Sequence, residues 1–166
     1  MAKINKNLII YLTIICLPIC AILSPNWLKI NGISPCWPVI GLLPFSLSYG
    51  SRKSIIVAIS LGILMDSLTT GGFSYIPSLL FLGLFWGQYG IRKKNIKSLF
   101  NIGLLAIFGT AIVGLSIWIQ KIILYGVLRN NWFHSWAMHA LLSEIIITGL
   151  VAPLFSSWLL LTYKKY

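Results

Sequence analysis

The sequence predicts an all-α integral membrane protein, a bundle of about six transmembrane helices. Apolar and aromatic residues make up 58% of the 166 residues and charged residues only 9%, against about 25% in a soluble domain. The mean hydropathy is +0.90. The apolar residues gather in runs close to the length needed to cross hydrocarbon, about 20 residues. This composition excludes an ordinary soluble enzyme and a disordered tail. Thirteen Lys and Arg against two acids give a net charge of +11. In a soluble chain that balance suggests nucleic acid. Here the cations sit in short clusters between apolar runs, so they read as topology signals and lipid-headgroup contacts, with no nucleic-acid partner.

Six spans fill a single membrane domain over residues 1–166, at approximately 8–23, 36–50, 54–69, 73–89, 99–119 and 136–162. The first follows Lys3 and Lys6 as a signal peptide would. It lacks a small-x-small cleavage site and runs into Ser24-Pro25-Asn26-Trp27, so it is expected to be a retained helix. Cys16 and Cys20 lie four apart within it, a spacing that a rigid helix cannot bridge by a disulfide. The second segment is short and interrupted by Pro38 and Pro44. Each proline removes a helical hydrogen bond and kinks the helix, which is tolerated at membrane depth where neighbours shield it; a re-entrant hairpin is the alternative. Gly50-Ser51-Arg52-Lys53 separates the second and third segments, and Thr70-Gly71-Gly72 separates the third and fourth. The basic run Arg92, Lys93, Lys94, Asn95, Ile96, Lys97 closes the fourth. Arg129-Asn130-Asn131 ends the region of the fifth, and Trp132-Phe133-His134-Ser135-Trp136 leads into the sixth.

Cytoplasmic loops carry an excess of Lys and Arg. Six spans with both termini cytoplasmic put Lys3, Lys6, Arg52, Lys53, Arg92, Lys93, Lys94, Lys97, Lys164 and Lys165 inside, leaving Lys29, Lys121 and Arg129 outside. A re-entrant second segment with the N-terminus outside gives a poorer separation. Both topologies make the basic run at 92–97 a cytoplasmic loop and turn Gly71 and Gly72 outward.

The only acids are Asp66 and Glu144, both within apolar segments. An ionisable group there is costly and usually faces the bundle interior or a polar cavity. Asp66 lies one turn after Gly62; Glu144 shares a face with Ala140, Thr148 and Ala152. The two acids are expected to fix helix packing through hydrogen bonds, the functional alternative being a proton, cation or substrate site. Gly83 and Gly87 form a G-x-x-x-G, and Gly103, Ala106, Thr110 and Gly114 line one face of the fifth helix. Such small residues admit close helix approach, either inside the bundle or against a partner. His134 and His139 point about 140° apart on a helix and make poor co-ligands. No Walker loop, nucleophile elbow, zinc-protease motif or paired-cysteine site is present. No catalytic residue, metal or cofactor is expected.

The stretch from Ser54 to Ser98 resembles the rod shape-determining MreD family. The resemblance is carried by Gly62-Ile63-Leu64-Met65-Asp66-Ser67-Leu68, the turn Thr69-Thr70-Gly71-Gly72-Phe73, and an apolar helix ending in Gly87 with the basic exit Arg92-Lys93-Lys94. The last helix, from Met138-His139-Ala140 through Val151-Ala152-Pro153, is similar to that family's final segment. At the second helix, Pro35-Cys36-Trp37-Pro38 departs from the family's usual order. The resemblance implies a non-enzymatic scaffold of peptidoglycan synthesis and cell shape in the bacterial inner membrane. Its implied partners are an MreC-like protein, the wall-elongation transpeptidase and glycosyltransferase, and an MreB filament beneath. The substrate-binding component of an energy-coupling-factor (vitamin) transporter has similar size and span count and is the alternative. A pigment- or quinone-associated subunit is a third reading.

Overall fold

A computed structural model of the chain describes residues 19, 29, 32–69, 72–92, 99–125 and 135–165. Among them are five helices: α1 (Trp37–Tyr49), α2 (Ser51–Leu68), α3 (Ile76–Arg92), α4 (Leu99–Tyr125) and α5 (Ser135–Lys165). Two are long and apolar enough to cross a membrane, over Phe100–Leu124 and Met138–Leu160. The predicted first span, 8–23, lies outside the described residues apart from Ile19, as do Gly71, Lys93, Lys94, Lys97 and His134.

The short, proline-interrupted segment is the centre of the fold. Every residue of α1 from Trp37 to Ser46 is buried, and α1 packs against all four other helices. Its 13 residues span only about 20 Å, short of the ~30 Å of a hydrocarbon core. The prolines suit that position. Pro38 sits in the first turn, where no helical donor is needed. Pro44 cannot donate to the helix, but it is enclosed by neighbouring helices. Ser46 Oγ donates to Leu42 O at 2.8 Å and Ser48 Oγ to Pro44 O at 2.8 Å, so the small polar groups of this apolar helix bond within it.

Two hairpins, α2–α3 and α4–α5, enclose α1. Gly50, at φ 78°, is the whole connection between α1 and α2; that left-handed conformation is cheap only for glycine. The chain therefore reverses in one residue, and α2 begins at Ser51, taking in Arg52 and Lys53, which the sequence reading put in the break before a helix at 54–69. α3 likewise runs from 76 to 92 instead of 73 to 89, because residues 72–75 are held as an irregular turn. α4 continues past 119 to Tyr125.

Interhelical contacts fix the directions. Gly62 on α2 faces Ile76 at the start of α3, and Gly87 on α3 faces Ser51 at the start of α2. Gly90 faces Leu47 near the end of α1. Gly114 meets Leu141, Gly149 meets Ile107, and Gly103 meets the Gly149 carbonyl, which sets α4 against α5. Helices α1, α3 and α5 run one way, α2 and α4 the other. One end of the bundle gathers Asp66, Ser74 and Gln120; the other gathers Arg52, Lys53 and the last turn of α3. In the core, the fully buried Trp86 ring occupies the space left by Gly109, where a Cβ would stand 2.5 Å from the indole. The outward faces are apolar too: Ile56, Ile63, Phe100, Ile123, Leu150 and Leu154 are each more than half exposed.

The small-residue stripes are thus consumed by internal packing. A Cβ on Gly87 would lie 2.4 Å from Ser51 Cα, and one on Gly83 3.2 Å from Ser54 O. Backbone, unlike a side-chain end, cannot yield locally. Gly87→Ala is expected to destabilise the bundle by about 1–3 kcal/mol through overpacking, and Gly87→Leu by more. Gly72→Ala meets no atom within 4 Å and only a φ of +72°, so about 1 kcal/mol is expected there. Thermal unfolding in detergent measures the order; equal midpoints for Gly87→Ala and wild type would refute the close α2–α3 contact.

Candidate functional site

The start of α3 is built by side chains from two other elements. A helix leaves its first amide donors without intrahelical acceptors. Here Tyr75 N–H donates to Asp66 Oδ1 at 2.6 Å, and Ile76 N–H donates to Ser74 Oγ at 3.2 Å. Ser74 Oγ in turn donates to Asp66 Oδ2 at 2.6 Å. The next residue, Pro77, has no N–H to satisfy. Leu79 N–H reaches Tyr75 O at 3.1 Å and the helix is under way. A carboxylate at this position is also favoured by the positive end of the helix dipole.

The Gly-x-x-x-Asp spacing acquires a physical meaning from this geometry. Gly62 and Asp66 occupy one face of α2, one turn apart. At Gly62 a Cβ would sit 2.8 Å from Ile76 Cγ1 and 3.0 Å from Ile76 Cα, so glycine lets the first turn of α3 lie directly on α2. One turn further, Asp66 reaches the amide and hydroxyl just ahead of that turn. Contact and cap act as a pair.

From the opposite side, Gln120 of α4 holds the same turn. Its Oε1 accepts from Ser74 N–H at 2.7 Å and its Nε2 donates to Ser74 O at 2.8 Å. Nε2 is also 3.3 Å from Ser116 Oγ. The amide thereby satisfies both backbone groups of one residue, as a strand would. Beside it the Lys121 ammonium lies 4.6 Å from the centroid of the Phe73 ring. Gln120 was not among the candidates drawn from the sequence; a carboxamide just beyond an apolar run reads there as a helix end.

Deeper in the bundle, α1 begins. Residues 34–36 have no regular secondary structure, and Cys36 is buried. Its backbone N–H donates to Thr148 Oγ1 on α5 at 2.9 Å, while Thr148 Oγ1 donates to Glu144 O at 2.7 Å. Val39 and Ile40 N–H groups accept no such outside help: both bond Cys36 O, at 3.1 and 3.2 Å. The Cys36 thiol adjoins the Glu144 carboxyl group. Tyr75 lies within electrostatic range of Cys36, Glu144 and Asp66. Glu144 is half-buried, and Thr148 is fully buried. No group of three metal-ligating side chains occurs among the described residues.

Chemically, the arrangement satisfies polar groups inside an apolar bundle and ties α2, α3 and α4 at one end and α1 to α5. Gly83, Gly87 and Gly114 stand apart from this region, in helix contacts. Arg92 ends α3 at the opposite end.

Two substitutions separate hydrogen bonding from packing. Thr148→Val keeps the shape but leaves the Cys36 N–H unpaired, with an expected loss of about 1–3 kcal/mol; Thr148→Ser retains the hydroxyl and most of the stability. At the turn, Asp66→Asn keeps one acceptor and falls between wild type and Asp66→Leu, which strands both donors. Gln120→Glu is expected to destabilise despite its similar shape, because an oxygen replaces the donor facing Ser74 O. These orders are read from thermal midpoints; Thr148→Val matching wild type would remove the role assigned to that hydroxyl.

The chain matches no family model, no curated protein and no solved structure.

Proposed function

We propose that this chain is a non-enzymatic scaffold in the bacterial inner membrane, a bundle of about six spans in which residues 8–23 form the first, and that it serves cell-wall elongation as the MreD family does. The observation that carries the reading is the pairing of Gly62 with Ile76 and of Asp66 with Ser74 and Tyr75. It gives a structural purpose to the motif on which the resemblance rests. Membrane placement is supported by the two long apolar helices and by large apolar side chains exposed on every helix outside α1. A water-facing surface rarely carries apolar patches of that extent. The basic end, with Arg52, Lys53 and Arg92, is the cytoplasmic one under the positive-inside rule. The polar end, with Asp66 and Gln120, faces out.

The close-packing glycines are used within the bundle, so partner contact falls to its outward faces. The partners in this reading are an MreC-like protein, the elongation transpeptidase and glycosyltransferase, and an MreB filament. The vitamin-transporter alternative draws on one specific feature, the gathering of Cys36, Tyr75, Glu144 and Thr148 toward the outward end. There Thr148 Oγ1 is engaged by both the Cys36 N–H and the Glu144 carbonyl, which gives that hydroxyl a structural use.

In a cysteine-free background, Lys94→Cys is expected to be labelled only from the cytoplasm and Gly72→Cys only from outside. Depletion in a rod-shaped host is expected to give wide or rounded cells, and mild-detergent purification to retain an MreC-like protein. A stoichiometric vitamin-sized ligand, or stable association with a pair of ATPases and no wall-synthesis protein, would replace the scaffold reading with the transport one.

A further inference from the structure

Segments far apart in sequence meet at one corner of the bundle. Gly87 lies against Ser51 and Gly50, and Gly90 against Leu47. These contacts bring the start of α2 beside the last turn of α3, which ends at Arg92. Arg52 and Lys53 are both exposed there. The Lys53 ammonium is 5.4 Å from the centroid of the Tyr49 ring, a cation–π distance that holds it at the corner. No compensating acid is near: Asp66 ends α2 and Glu144 lies toward the start of α5, both away from this end. Directly beyond the corner, the outward faces turn apolar, with Ile56 and Ile59 on α2 and Phe81, Leu84 and Phe85 on α3 all exposed.

A cationic corner that passes within one turn into an exposed apolar face matches the two halves of an anionic phospholipid. We propose that the α2–α3 corner at Arg52 and Lys53 is a binding site for such a lipid, its phosphate at the basic groups and its acyl chains along the exposed aliphatic and aromatic side chains. The assignment rests on the membrane placement above and goes beyond it. General attraction to an anionic leaflet spreads over all surface cations; this site is local to one edge of the bundle. The α1–α2 reversal at Gly50 is what presents it, since a longer connection would carry Arg52 and Lys53 away from α3.

The test uses the full chain purified in dodecyl maltoside, titrated with mixed micelles of phosphatidylglycerol or phosphatidylcholine and followed by thermal shift. Phosphatidylglycerol is expected to stabilise at lower concentration than phosphatidylcholine. Each basic residue near a headgroup contributes about 1 kcal/mol, so R52Q/K53Q should raise the phosphatidylglycerol half-saturation point roughly thirtyfold, with little change for phosphatidylcholine. K53Q alone should raise it roughly fivefold, which preserves the test if the double variant does not survive extraction. K121Q, at the other end, should leave the phosphatidylglycerol half-saturation point unchanged. Full lipid preference in R52Q/K53Q, equal loss in K121Q, or the same shift from inorganic phosphate alone would overturn the site. Recovery of the chain in the soluble fraction would instead overturn the membrane placement; a membrane-bound chain without lipid preference would overturn this site and leave that placement standing.

Discussion

The structure depends on a helix that starts inside the bundle. A chain arriving at Cys36 without regular structure brings a backbone donor into an apolar interior, where an unpaired amide costs about as much as a lost buried hydrogen bond. Thr148 removes that cost by accepting from the Cys36 N–H while donating to its own helix. With the donor satisfied, α1 can be short, apolar all round and enclosed. A helix that is hydrophobic on every face belongs in an interior, and α2–α3 and α4–α5 supply one. The tolerance of two prolines follows: one sits in the first turn, the other where neighbouring helices surround the interrupted backbone.

The second organising constraint is at the turn before α3. Asp66 and Gln120 approach residues 74–75 from α2 and α4. Both use side chains whose removal would leave backbone or hydroxyl groups unpaired, so the turn is specified from two directions. A lone carboxylate in a membrane segment invites a functional reading. Here its two oxygens are engaged by an amide and a hydroxyl, and the geometry is that of a helix cap. A capped, clamped turn holds this end of the bundle still, which is what the proposed scaffold role would use.

The helical class and the approximate positions of the last five segments were legible in the sequence because uniform apolarity, punctuated by Gly, Pro and charge, has few other solutions. The ends shifted for local reasons. Gly50 alone makes a reversal, so Arg52 and Lys53 joined a helix; the clasp at 74–75 delayed α3. What was not legible was which segment is central. Periodicity separates a buried face from an exposed one, and a segment apolar on all sides carries no such contrast. The prolines of 36–50 left a kinked, shielded helix and a re-entrant hairpin both open; in the fold they lie in an enclosed helix. Asp66, Glu144 and Gly62 stood out by type and spacing. Thr148 entered only as a neighbour of Glu144 on one helix face, Cys36 only within Pro35-Cys36-Trp37-Pro38, and Gln120 not at all, since a backbone clamp between residues 46 positions apart leaves no local pattern.

The use of small residues bears on how partners are met. On α3 and α4, glycines at 83, 87, 90, 103, 109 and 114 all abut other helices of the same chain. Close backbone approach, the strongest packing device available between helices in lipid, is therefore spent on internal cohesion. What remains outside is a surface of large side chains, including the stacked Phe81 and Phe85 rings, 6.3 Å apart, with Phe108 a further 5.8 Å from Phe85. Such a surface meets acyl chains and protein helices alike through broad, shape-tolerant contact. A bundle cohesive within and tolerant without can keep its own geometry while its neighbours change, which is the mechanical requirement of the proposed scaffold role.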